Sequence, residues 1–94
     1  MRKTGLPSQS QAEAIALSAL AFLVRDEERL GRFCAMTGMD LATLRAQAAQ
    51  TAMLVSILDY LLADETLLLL FAADESLDPQ MPRLARMRLS GEDV

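Results

Sequence analysis

Two stretches of this chain carry the same residues 38 positions apart. Asp26, Glu27, Leu30, Phe33, Ala35, Asp40 and Arg45 recur, without a gap, as Asp64, Glu65, Leu68, Phe71, Ala73, Asp78 and Arg83. Upstream, Ala14, Ser18, Leu20 and Leu23 correspond to Ala52, Ser56, Leu58 and Leu61. Leu and Ala coincide easily by chance. Paired Asp-Glu, Phe and Arg at one offset do not, and fixed-period self-similarity is the mark of duplicated helical units. The expected repeat units are 11–48 and 49–86.

Within each unit the apolar spacing is helical. Ser10 followed by Glu13 reads as a capping box that opens a helix over Gln11–Val24, with Ile15, Ala19, Phe22 and Leu23 on one stripe and Leu17, Leu20 and Val24 widening it. Asp26 is a good N-cap for a second helix that carries Leu30, Phe33 and Met36 inward and stops at Gly38, a residue suited to a left-handed cap. A third helix opens at Asp40, is anchored by Leu41 and Leu44, and fades near Gln50 or Thr51. The second unit repeats the plan with helices over Ala52–Ala63 and from Glu65 to about Ala73. In its last helix Asp78 is the cap and Pro79 the first-turn proline, and Gly91 is the stop. No segment alternates with period two over strand length, so a sheet has no support. The fold class expected is all-α, a compact bundle of about six short helices arranged as two related three-helix units.

Length and composition narrow the function classes. At 94 residues the chain suits one domain with a modest core; Trp is absent and aromatics make up 4%, so that core must be aliphatic. The expected organisation is a flexible segment over 1–9, a single helical domain over 10–91 and a frayed C-terminus over 92–94. A net charge of −4 argues against a dedicated binder of polyanions, which needs clustered Lys and Arg. The single cysteine, Cys34, excludes an intrachain disulfide and fits a reducing cytoplasm; with no His to pair with it, it reads as a small core side chain. The longest uncharged stretch, Ala46 to Leu58, is too short for the roughly 18 to 20 apolar residues of a membrane span. Basic residues open the chain, but Ser8, Gln9, Ser10, Gln11 and Glu13 interrupt any signal-peptide core, so export is not expected.

Three constellations compete for a chemical role. The repeated Asp26-Glu27 and Asp64-Glu65 could offer carboxylates to Mg²⁺ or Ca²⁺, yet adjacent helical side chains diverge by about 100° and helix capping accounts for both copies. No metal, cofactor or catalytic residue is therefore assigned. The segment 30–47 has a helix-turn-helix outline around Gly38, but its second helix presents Asp40, Ala42, Thr43, Arg45 and Gln47, with a carboxylate where a phosphate would approach. Nucleic-acid regulation is the alternative reading. Arg83, Arg86 and Arg88 cluster near the C-terminus, whereas Asp59, Asp64, Glu65, Asp74, Glu75 and Asp78 fall in a stretch without Lys or Arg, so opposite charges could meet within or between molecules.

The units differ most usefully at Arg29, Gly31 and Arg32, which become Leu67, Leu69 and Leu70. The run Leu67-Leu68-Leu69-Leu70-Phe71 goes fully round a helix axis and must be covered on every side. Leaving two leucines exposed would forgo about 3 to 6 kcal/mol. Either the rest of the chain encloses this helix or part of it meets another molecule; Leu67, Leu69, Leu70 and Phe71 are the candidate interface. Tyr60 aligns with Phe22 and reads as core with its hydroxyl at the edge.

The pieces Ala21-Phe22-Leu23, Asp26-Glu27-Glu28-Arg29-Leu30-Gly31-Arg32-Phe33, Thr37-Gly38-Met39-Asp40-Leu41, Leu58-Asp59-Tyr60-Leu61-Leu62-Ala63-Asp64-Glu65 and Phe71-Ala72-Ala73, in this order and spacing, resemble a bacterial domain-of-unknown-function family, number 3572. The likeness covers residues 11 to 80. It implies a stand-alone, cytoplasmic helical protein and carries over no functional site. The function expected is a non-enzymatic protein–protein interaction module, with a homodimer or another protein as partner and no membrane.

Overall fold

A computed structural model describes residues 6–91 and contains six helices. They are α1 (Gln9–Val24), α2 (Glu27–Thr37), α3 (Leu41–Gln47), α4 (Thr51–Leu62), α5 (Glu65–Glu75) and α6 (Met81–Ser90). There is no strand among the described residues, so the all-α expectation holds. The frayed end expected over 92–94 and the first part of the flexible segment expected over 1–9 fall outside the described residues.

Capping side chains set most of the helix starts, in one case not the expected one. The capping box of α1 is Ser8 with Gln11, two residues earlier than Ser10 with Glu13. The Gln11 amide donates to Ser8 Oγ at 3.1 Å, and the Ser8 amide donates to Gln11 Oε1 at 2.8 Å. Both pairs satisfy the same rule. The earlier one adds Gln9 and Ser10 to the helix, and the amide of Ala12, whose side chain is wholly buried, bonds to the Ser8 carbonyl at 2.8 Å. Within the segment 1–9, Pro7 is buried, and its carbonyl accepts from Arg88 Nε of α6 at 2.9 Å. Asp26 and Asp64 cap α2 and α5 from extended backbone, each accepting amide hydrogen bonds from the first turn. Asp78 does not cap α6 directly. It accepts from the Gln80 amide at 2.9 Å and closes a turn, after which α6 begins at Met81 with Pro82, not Pro79, in its first turn.

The interior is built on alanine and leucine. Ala12, Ala16 and Ala19, on one stripe of α1, are fully buried, as are Leu23 of the same helix and Ala85 of α6. Side chains this short let helix backbones approach closely. The most extensive packing is α1 on α6, followed by α6 and α1 on α4. Ile57, Leu58 and Leu61 complete the centre from α4 with no exposure. On this three-helix frame α2 packs against α1, and α5 against α4 and α1; α3 has no extensive packing and is held through Leu44.

Two aromatic pairs fix the outer helices. Phe22 of α1 meets Phe71 of α5 edge to face, ring centroids 5.4 Å apart, and Tyr60 of α4 meets Phe33 of α2 in the same manner at 4.9 Å. Tyr60 stands 38 residues after Phe22, and Phe71 stands 38 after Phe33, so each half gives one ring to the other in a reciprocal exchange. Such edge-to-face pairs add about 0.5 to 1.5 kcal/mol beyond the area they bury. Helix bounds keep the same offset: α1 and α4 end at Val24 and Leu62, and α2 and α5 run over matching residues. The third members do not match, because α6 packs against both α1 and α4 whereas α3 sits at the periphery.

Met36 is not inward. It is 73% exposed because the stripe that faces the core is Leu30, Phe33, Cys34 and Thr37, and Met36 lies roughly 110° round the axis from it at about 100° per residue. Leu17, Val24 and Leu41 are also exposed by more than a third. Among the described residues, ion pairs tie acidic and basic segments within the molecule: Arg25 with Asp74, and Arg86 with Asp59 at 2.6 Å. Both are solvent-accessible, and such pairs contribute about 0 to 1 kcal/mol.

Helices α2 and α5 stop at equivalent residues, Gly38 with φ 75° and Ser76 with φ 54°, both left-handed. Glycine tolerates this backbone and serine does not, at a cost of about 1 kcal/mol. A Cβ at Gly38 would meet nothing within 4 Å, so only the backbone term operates there. Ser76→Gly is expected to raise stability by about 0.5 kcal/mol and Gly38→Ala to lower it by about 1 kcal/mol, measured by denaturant unfolding followed by circular dichroism.

Candidate functional site

The first turns of α2 and α5 lie on either side of a cleft of about 280 Å³. Asp26, Glu28, Arg29 and Arg32 form the α2 wall and Asp64, Thr66, Leu67 and Leu70 the α5 wall, with Tyr60 between them. Every residue of the α5 wall stands 38 positions after one of the α2 wall. The walls are therefore equivalent in position and opposite in chemistry: where α2 has Arg29 and Arg32, α5 has Leu67 and Leu70.

Two of the three carboxylates of the cleft, Asp26 and Asp64, cap the helices through the backbone. Asp26 Oδ1 accepts from the Glu28 and Arg29 amides at 2.9 and 3.2 Å, and Asp64 Oδ1 accepts from the Leu67 amide at 3.1 Å. Arg29 places its guanidinium 4.2 Å from the centroid of Phe22, a cation–π contact of about 0.5 to 2 kcal/mol. Arg32 is exposed and makes no ion pair among the described residues. The Asp-Glu pairs do not converge into a group of three or more metal-ligating side chains among the described residues.

The helix expected to be covered all round is not. Phe71 is fully buried against Phe22, which removes it from the candidate interface, and Leu67 is half-buried in the cleft wall. Leu69 and Leu70 are 46% and 48% exposed. With Phe71 and Ala72 set inward, the outward stripe is Thr66, Leu69, Leu70 and Ala73, at i, i+3, i+4 and i+7, and all four are exposed. Thr66 and Ala73 went unread in the sequence, although helical spacing from Phe71 points to both.

In the helix-turn-helix-like segment α3 has seven residues. Asp40 caps it, accepting from the Thr43 amide at 2.8 Å. The amide of Thr43, and after it the Thr43 hydroxyl, hold the Asp40 carboxyl below its ordinary pKa. Its negative charge therefore sits at the leading end of α3, the position a phosphate would have to approach.

These features define a small all-α protein with a bare apolar helix face beside a cleft of mixed charge. No described helix is long and apolar enough to cross a membrane. A family model described as a protein of unknown function (DUF3572) matches residues 9–92, nearly the whole chain, and the protein belongs to that family. No curated protein and no solved structure matches it.

A carboxyl whose folded pKa is depressed stabilises the fold above its unfolded pKa, and that contribution is lost as pH falls through the folded value. Asp40→Ala is expected to lower the melting temperature near pH 7, with the gap to wild type narrowing toward about pH 3, read by thermal circular dichroism. Millimolar Mg²⁺ or Ca²⁺ is expected to leave the melting temperature unchanged, because the Asp26 and Asp64 carboxylates already cap helices; calorimetry with and without either ion checks this.

Proposed function

We propose that this protein is a non-enzymatic protein–protein interaction module whose binding surface is the outward face of α5. The observation that carries the reading is the exposed uncharged stripe Thr66, Leu69, Leu70 and Ala73. Apolar residues at i, i+3, i+4 and i+7 are the pattern by which helices recognise grooves and other helices. Burying Leu69 and Leu70 against a partner would recover part of the roughly 1.5 to 3 kcal/mol that each forgoes in water. The non-enzymatic part draws support from the cleft, where Asp26 and Asp64 cap helices and Arg29 stacks on a ring. The reading includes a tandem duplication of the α1–α2 helix pair as α4–α5, supported by the matched helix bounds and the exchanged aromatic rings. It also places the protein in a reducing compartment, where Cys34 remains a thiol. Nucleic-acid regulation draws less support, because the Asp40 carboxylate stands at the start of α3.

The test is the double variant Leu69→Glu/Leu70→Glu. Both side chains are about half exposed, so the helical circular dichroism spectrum is expected to persist. Chemical crosslinking in the native cell is expected to give a specific adduct with wild type and none with the variant. Equal crosslinking of the two proteins would remove α5 as the binding surface.

A further inference from the structure

The charges around the bare face of α5 follow a cross. Along the helix axis both ends are acidic: Asp64 and Glu65 at the N-terminus, Asp74 and Glu75 at the C-terminus, with Asp78 just beyond. On one flank, across the cleft, stand Arg29 and Arg32 of α2. On the opposite flank Arg83 of α6 lines a second hollow with Glu65 and Leu68. Arg32 and Arg83 are exposed and make no ion pair among the described residues. The Arg25 guanidinium, by contrast, is already paired with Asp74.

We infer that the occupant of this face is a second copy of the chain, joined by a two-fold axis so that α5 crosses its counterpart near a right angle. The inference rests on the interaction-module reading above and names its partner. Parallel or antiparallel pairing of two α5 helices would set acidic ends against acidic ends, and like-charge juxtaposition costs affinity. A crossing near 90° turns the acidic ends of each helix over the arginine flanks of the other, and the two-fold axis makes both sets of contacts reciprocal.

The apolar patch has the shape that such a crossing needs. Thr66 to Ala73 span about two turns, with the large side chains Leu69 and Leu70 in the middle and the small Thr66 and Ala73 at the rims. Two helices crossing steeply touch over about this length, and small rim residues let them approach. Perpendicular crossings are the rarer class among packed helices. Here the arrangement of charge selects one.

Sedimentation velocity on the whole protein tests the inference. Wild type is expected to dimerise below about 100 μM, within the weak range for small interfaces. Leu69→Glu/Leu70→Glu is expected to be monomeric with an unchanged circular dichroism spectrum. Arg32→Glu is expected to weaken dimerisation by about tenfold or more, and a second reversal in the same chain, Glu65→Arg or Glu75→Arg, to restore it in one of the two combinations. That rescue is a result that a loss of folding cannot imitate. A monomeric wild type overturns the inference, and if wild type still captures a different chain in the crosslinking experiment, the interaction-module reading survives it. A dimer that persists in the Leu69→Glu/Leu70→Glu variant overturns both the inference and the choice of α5 as the surface. A dimer lost in Arg32→Glu but restored by neither reversal overturns the crossed arrangement.

Discussion

The structure depends on how closely α1 can approach its neighbours. Ala12, Ala16 and Ala19 lie on one stripe of that helix, an alanine seam, and have no exposure, Ala85 of α6 is equally buried, and α1 packs most extensively on α6 and then on α4. Protein interiors pack at near-crystalline density, so a larger side chain at any of these positions would push helices apart and open gaps elsewhere. The seam fixes where α1, α4 and α6 stand. Their positions in turn decide where Phe22 and Tyr60 present their rings, and the rings decide where α2 and α5 attach.

The cleft and the bare face follow from one local divergence between equivalent positions. On α2, Arg29 covers Phe22 with its guanidinium, and Arg32 reaches water. On α5 the corresponding Leu67 is half-buried and Leu70 stays about half exposed. The backbone is the same in both places and the side chains are not. A pair of arginines makes α2 content as a solvated surface helix, whereas leucines leave α5 with apolar area that its own chain does not cover.

Much of the fold was legible in the sequence because it is written in local chemistry. Asp26, Asp40 and Asp64 cap the helices that they were expected to cap, and Gly38 takes the left-handed turn. The misreadings arose where two local solutions satisfy one rule. Ser8 and Ser10 can each open a capping box, and the earlier start accompanies a buried Pro7 whose carbonyl Arg88 holds, which is tertiary information. Proline at 79 or 82 suits a first turn equally, and Asp78 chose the tight turn. Spacing from Phe33 alone points Met36 inward, and only the packing of Cys34 against the core fixes the stripe elsewhere. For the site, five apolar residues in a row announced that α5 was unusual, but not which of its sides would stay bare. Only the inward direction of Phe71, set by Phe22 from 49 residues away in the chain, resolves that.

The helix synthesised first among the six and the helix synthesised last form the broadest contact in the molecule, and Arg88 secures the chain just ahead of α1 through the carbonyl of Pro7. On the ribosome, the alanine seam of α1 therefore emerges long before its cover exists. The intervening helices can form in order, since their caps are local. The interior cannot close without α6, so a chain that ends before Leu89 is expected to carry an uncovered groove along α1 and α4.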